Sequence, residues 1–349
     1  MDRTRQKEGR PMDDRRETRL QAMIPARGRP AGARRACRVL GSAVVLVATV
    51  WSTVAVAADA VAVFTEIRPG TGEVRVKRAE DADWTAPRAL QALRPGDQVR
   101  VTGDGRATLA FTGGAAQSVT AANSPFTVQP LRGETGTDRA KGLVAGVTQF
   151  LLGQPKPPTY QALSVRAGAP PPRILAPRDT RLMPGPFAFE WAGPPRPDYA
   201  VHLLGPQGVV WEQAGIPRRP LPYPAAAPPL VPGSHYSWTL DTPGQGSQRA
   251  EFDVVPEGDA TRIRAALADM TSSAPGSEGG SSRAILRAGL FFQEGLYTEA
   301  RRELMSAIAQ DPDEPTLRQL LGYVYDRVGL IDLAAQEFDE ADFLTSRKP

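Results

Sequence analysis

The chain is poor in the residues that carry most catalytic and metal chemistry. Its 349 residues include one cysteine, Cys37, and two histidines, His202 and His235. A lone cysteine excludes an internal disulfide framework, and beyond Cys37 there is no thiol nucleophile and no thiolate metal site. The histidines fall in separate candidate strands, without H-x-x-x-H spacing and without a nearby carboxylate pair. No G-x-S-x-G elbow, phosphate-binding glycine loop or dinucleotide fingerprint occurs. GDGRA at 103–107 reads as a hairpin turn, because no helical pattern follows it. Acidic pairs such as Asp339/Glu340 and Asp311/Asp313 fit solvated positions. These absences point away from an enzyme, and no cofactor or metal is expected.

Long apolar runs are equally scarce. The main one, Val39 to Ala58, is free of charge and ends in small residues at Ala55, Ala57 and Ala58. It follows 38 residues with 12 Lys/Arg against 5 Asp/Glu. A basic flank, an apolar run and an A-x-A-like end make a secretory signal. At about 1.5 Å per residue the same run would also just span a bilayer as an uncleaved anchor. Either fate places residues after Asp59 outside the cytoplasm. The initiator is open among Met1, Met12 and Met23. The Arg34-Arg35 pair does not fit a twin-arginine signal, and Cys37 precedes the apolar run, which argues against a lipoprotein.

Without residues 1–58 the balance becomes 30 basic against 33 acidic residues. The precursor's basic character therefore gives no argument for nucleic-acid binding.

From 60 to 135, short alternating stretches are separated by turn residues: AVAVF, EVRVK, QVRV, RATLAF, QSVTA and FTV. Val99, Val101, Leu109 and Phe111 recur at period two and would face one core. The order of the pieces resembles the FecR domain. The matching residues are Gly72, Val74 and Val76, then Leu93, Gly96, Asp97, Val99 and Arg100, then Arg106, Ala107, Leu109, Phe111 and Gly114. Turn formation and a surface ion pair are the roles expected of Asp97 and Arg100. The best-known members of that family carry a helical cytoplasmic domain that controls a sigma factor. The 38 residues before the apolar run have no helical periodicity and too few apolar positions for a core, so that role is not expected here. The apolar piece at 142–152 reads as a helix packed on this domain, and 159–167 as an edge strand closing it.

A second strand series runs through 170–256: FAFEW, YAVHLL, GVVWE, HYSWTL and AEFDVV. The segment Leu230 to Tyr236 is similar to the L-x-P-G-x-x-Y approach to a late strand in fibronectin type III domains. That resemblance implies an Ig/fibronectin III-like sandwich in which the tyrosine hydroxyl ties back to the loop. Trp191 and Trp238 fit the core. Trp211 is the candidate exposed aromatic of this domain.

Residues 281–348 carry a period of 34. Ala288 pairs with Gly322, Phe291 with Tyr325, Gly295 with Gly329, Ala300 with Ala334, Leu304 with Phe338, and Ala307 with Ala341. Small residues at the first and fourth pairs let two antiparallel helices approach closely. The glycines suit the turns between them. The pattern resembles two tetratricopeptide repeats, TPR for short. DATRIRAALADM at 259–270 is a candidate capping helix, joined by a flexible linker at 271–280. The resemblance implies a partner-binding concave face built from Phe292, Gln293, Gln319, Tyr323, Asp326 and Arg327.

The expected fold class is thus two small all-β domains, FecR-like and Ig/fibronectin III-like, followed by an α-helical TPR-type array. The expected function is an exported, extracytoplasmic scaffold or adaptor of the cell envelope that binds a protein or peptide segment. The alternative is a glycan- or peptidoglycan-binding protein acting through the β domains. The uncapped end of the array should meet another domain, a second copy or a partner.

Overall fold

The structure is a computed structural model that describes residues 60–132, 138–154, 172–194, 198–216, 220–242, 244, 246–273 and 280–346. The signal or anchor expected at 39–58 and the strand expected at 159–167 lie outside the described residues. So do residues 274–279 of the expected linker. Among the described residues no helix is long and apolar enough to cross a membrane.

The first β unit contains β1 (Ala62–Arg68), β2 (Val74–Lys77), β3 (Ala92–Leu93), β4 (Gln98–Val101), β5 (Arg106–Phe111), β6 (Ala116–Thr120) and β7 (Phe126–Thr127). They form two antiparallel sheets, ordered β3-β1-β5-β6 and β2-β4-β7. Val74, Val76, Val99 and Val101 alternate inward and meet Leu109 and Phe111 in one core, as their period of two requires. β1 departs from alternation, being buried at every position from Ala62 to Ile67. A strand buried on both faces reads as a continuous apolar run. Here Thr65 and Glu66 interrupt that run, so the far face must supply polar partners.

Asp97 sits in its turn as expected, accepting from the backbone N–H groups of Ala79 (3.1 Å) and Arg94 (2.9 Å). Arg100 lies over the ring of Trp84, 4.4 Å from its centroid. The surface ion pair expected of it gives way to a cation–aromatic contact.

The second β unit contains β8 (Arg173–Ala176), β9 (Thr180–Leu182), β10 (Ala188–Ala192), β11 (Tyr199–Gly205), β12 (Gly208–Ile216), β13 (Leu221–Pro222), β14 (His235–Thr242) and β15 (Gly246–Val254). Two sheets, β13-β10-β8 and β12-β11-β14-β15-β9, face each other, with β9 parallel to β15. Phe189, Trp191, Val201, Leu203, Trp238 and Phe252 fill the space between them. The Tyr236 hydroxyl accepts from the Val231 N–H at 2.8 Å, tying the strand start to the loop before it.

Among the described residues six α-helices complete the fold: α1 (Asp138–Leu152), α2 (Glu257–Ser273), α3 (Gly280–Gln293), α4 (Tyr297–Gln310), α5 (Pro315–Arg327) and α6 (Ile331–Ser346). The helix expected at 259–270 is α2, starting two residues earlier and packed on α1 and α3. The period of 34 is structural. Ala288, Ala300, Ala334 and Ala341 are buried where paired helices approach, and Leu304 and Phe338 fill equivalent positions. Each pair is also bridged by an ion pair at equivalent glutamates, Glu303 to Arg287 (2.9 Å) and Glu337 to Arg318 (3.1 Å).

The helices do not stand apart from the β units. One core joins Val63 and Ala110 of the first β unit to Val144 and Val147 of α1, Ile263 of α2 and Ile285 of α3. α1 does pack on the first β unit, and it also docks the helical array.

Candidate functional site

The two β units grip the helical array at different places. β9 and the residues before it meet the turns between paired helices. These turns need a left-handed backbone at Gly295 (φ 75°) and Gly329 (φ 72°), which glycine adopts without a Cβ penalty. Arg181 donates from its backbone N–H to the carbonyl of Gly295 (2.8 Å) and from Nη1 to that of Glu294 (3.1 Å). Arg178 Nε donates to the carbonyl of Val328 (2.7 Å). Cations thus satisfy the orphan carbonyls at the ends of α3 and α5. Arg301, buried on α4, adds an ion pair to Glu190 of β10 (2.6 Å) and a bond to the Tyr325 hydroxyl.

Glu299 lies at the same seam. One carboxylate oxygen accepts from the Met183 N–H at 2.9 Å, and the other is buried without a donor. The residue as a whole is half-buried, while that second oxygen is shielded from solvent. Burial pushes this carboxyl up to about 7, against the opposing pull of the Met183 N–H and Arg302.

The first β unit meets the starts of α3 and α5. Thr65 and Ser282 bond through their hydroxyls at 3.2 Å. Glu66 accepts from Thr108 Oγ1 (2.8 Å) and pairs with Arg68. Glu314 caps α5, accepting from the Thr316 N–H (3.1 Å) and, across the seam, from the Ile67 N–H (2.9 Å). These are the polar partners that the two-faced burial of β1 requires. Burial drives the Glu314 carboxyl to about 8, with nearby Glu66 acting in the same direction. Two cavities follow the seams. One, of 340 Å³, lies between the sandwich and the α3–α4 turn and is lined by Arg181, His235, Asp253 and Tyr297. The other, of 540 Å³, lies by the α3 start and is lined by Arg68, Arg283, Arg287 and Gln310.

The expected partner-binding residues divide into two groups. Phe292 is buried, with its ring 5.3 Å from Phe150 of α1 and 5.2 Å from Tyr297. Tyr323 is buried edge-on to Phe338 and accepts from Gln319 Nε2. Those two aromatics belong to the core, because α1 and α6 cover the surface that a ligand would need. Gln293 and Arg327 are exposed, and Gln319 and Asp326 are half-exposed. Arg327 donates to the Tyr297 hydroxyl at 2.9 Å, which links the ends of α4 and α5. Trp211 is half-buried and stacks on Phe189 at 5.8 Å, with the planes 3° apart. It serves as the rim of the sandwich core, not as an open platform.

The histidines correct the sequence reading. Each is flanked by two carboxylates: His202 by Glu212 and Asp241 (both 3.2 Å), His235 by Asp253 (2.8 Å) and Glu251 (3.7 Å). Strand pairing places His202 opposite Glu212 and His235 opposite Asp253, with the second carboxylate one diagonal step away. The carboxylates sit on opposite ring nitrogens and do not converge. Among the described residues no group of three or more His, Cys, Asp or Glu could hold a metal ion.

A scan against protein-family models and a search of the curated proteins return no match to this chain.

Proposed function

We propose that this chain is an exported scaffold or adaptor of the cell envelope, with a FecR-type domain, an Ig/fibronectin III-type sandwich and two TPR-type repeats. The 34-residue period with glycine turns supports the TPR reading. The strand order of the sandwich, with β9 parallel to β15, and the Tyr236 tie support the Ig/fibronectin reading. Export rests on the signal-like segment at 39–58.

The observation that carries the adaptor reading is the surface left on the array. α1 and α6 take up Phe292 and Tyr323, but Gln293, Asp326 and Arg327 stay accessible beside Tyr297 on helices anchored by both β units. A polar strip on a rigid support suits recognition of an extended protein segment, since little ordering entropy is lost by the receptor. A second copy seated on the outer face of α6 is the homo-oligomeric form of the same reading, with Phe343 exposed there.

Deleting the repeats would break the shared core, so the test uses the whole chain. A photo-crosslinking residue is placed at Gln293 or Asp326 and, as control, at Val209, which is exposed on the sandwich. A discrete product from the first two positions and none from Val209 supports the reading. Identical products from all three, or none, sink it.

A further inference from the structure

Between the first β unit and the helical array lie three carboxylates and one guanidinium, and the guanidinium pairs with two of them. Glu66 comes from β1, Asp311 from the segment before α5, and Glu314 from the α5 cap. Arg68 Nε is 2.7 Å from Glu66, and its Nη2 reaches Asp311. Ser281 Oγ also donates to Asp311 at 2.5 Å. The other hydrogen-bonding partners at the buried part of the seam are uncharged: Thr65 on β1, Thr108 on β5 and Ser282 on α3, while Arg283, Arg287 and Glu303 line the cavity outside it, the last two paired with each other. Glu314 is held by two backbone N–H groups, from Ile67 and Thr316, while the guanidinium of Arg68 is committed to the other two acids.

Glu66 and Glu314 are each 1% exposed, so water screens neither. Arg68 and Asp311 reach the solvent-accessible cavity, but with both glutamates ionised the buried part of the seam would hold two negative charges, of which only Glu66 has a cation partner. That arrangement is costly, and the ordinary remedy is a bound proton. Glu314 is the group placed to hold it, since it is buried with backbone N–H partners and no cation, whereas Arg68 pairs with Glu66 and Asp311.

We propose that Glu314 is a proton-operated latch between the first β unit and the repeats. Neutral, it keeps β1 seated on the starts of α3 and α5. Ionised, it faces Glu66 without a cation of its own, loosens β1 and uncovers those helix starts. The latch governs when that part of the array is accessible and does not depend on the partner-binding reading above.

The direction of the pH effect follows from linkage. The carboxyl is raised to about 8 in the closed seam and returns to its ordinary 4.5 when solvated. The latch is therefore tightest below 4.5 and weakens as pH rises, until the slope ends near 8. One linked proton makes opening about tenfold more favourable per pH unit inside that window.

Hydrogen exchange at the Ile67 amide of the full chain reads this directly, because that N–H bonds to Glu314. Its protection, corrected for intrinsic exchange, should fall at least about tenfold between pH 6 and 8. The Phe64 amide, which bonds to Gln91 within the β unit, should stay level. In Glu314→Gln the Ile67 slope should vanish. A level Ile67 in the wild type, or an equal slope in the variant, overturns the proposal. If the variant does not fold, infrared spectroscopy of the Glu299→Gln chain decides. A protonated carboxyl band present at pH 6 and lost by pH 9 supports the latch, and its absence at pH 6 refutes it.

Discussion

Arg181 Nη1 donates to the carbonyl of Glu294 at 3.1 Å, so a cation from the sandwich closes the C-terminal end of α3. Arg178 does the same for α5 at Val328. The two acceptors are one 34-residue period apart, whereas the donors are three residues apart. The segment between the two donors bends at Asp179, whose φ is 47°. The segment leading into β9 therefore reads adjacent repeats in register.

Replacing Arg181 or Arg178 with alanine should each lower stability by about 1–2 kcal/mol, the range for charged hydrogen bonds at a helix end. Both side chains are about a third exposed, which keeps the effect at the low end. Arg249→Ala, whose side chain is exposed on β15, should change stability by less than about 0.5 kcal/mol. Chemical denaturation of the three variants makes the comparison. Equal effects would mean that the turns are not held by these contacts.

Much of this architecture is visible in the one-dimensional pattern. Period-two valines mark the strands, and the recurrence of Gly295 at Gly329 marks the repeat. The seams are not visible, because they join residues over 100 positions apart, such as Ile67 with Glu314 and Met183 with Glu299. A clue existed in β1, where Thr65 and Glu66 sit inside an otherwise apolar strand with no turn residue to explain them. The histidine–carboxylate groups were missed for the same reason: strand register, not sequence spacing, brings Glu212 to His202.

Glycine at 322 separates helix propensity from packing. On an open helix, Gly→Ala would stabilise by about 1 kcal/mol. At this site a Cβ would stand 2.5–2.9 Å from the ring of Phe338. Gly322→Ala should therefore destabilise, by about 1–3 kcal/mol. Adding Phe338→Leu should recover part of the loss, a non-additivity that a double-mutant cycle would detect. Simple additivity would show that the ring moves aside freely.

Glu299 gives a pH signature at the sandwich seam. Its folded-state value of about 7 lies above its ordinary 4.5. The stability it contributes is complete below 4.5 and is lost as pH rises through about 7. Glu299→Gln should remove its share of that slope, leaving the share from Glu314, without changing the Ile67 exchange slope, since Ile67 belongs to the other seam. An unchanged stability profile between pH 5 and 7.5 would show that the carboxyl is ionised throughout.

Tyr236 is buried, and its hydroxyl accepts the Val231 N–H. Tyr236→Phe keeps the ring stacked on Phe252 (5.6 Å) and removes only that oxygen. The expected cost is about 1 kcal/mol, with faster amide exchange at Val231. Exchange at Val231 that stays unchanged would mean that the loop holds its shape without the hydroxyl.

Phe292 and Gln293 are neighbours in sequence with opposite roles in the structure. Phe292 packs between Phe150 and Tyr297, joining α1 to the repeats, while Gln293 faces outward. Phe292→Ala should cost about 3–5 kcal/mol, the range for deleting a buried aromatic ring. Gln293→Ala should leave stability within about 0.5 kcal/mol. If the adaptor reading is right, the same Gln293→Ala chain should lose its crosslinks at Asp326 while keeping its melting temperature. A Phe292→Ala chain as stable as the wild type would reverse the assignment: it would place Phe292 on an open binding face and leave α1 detached from the array.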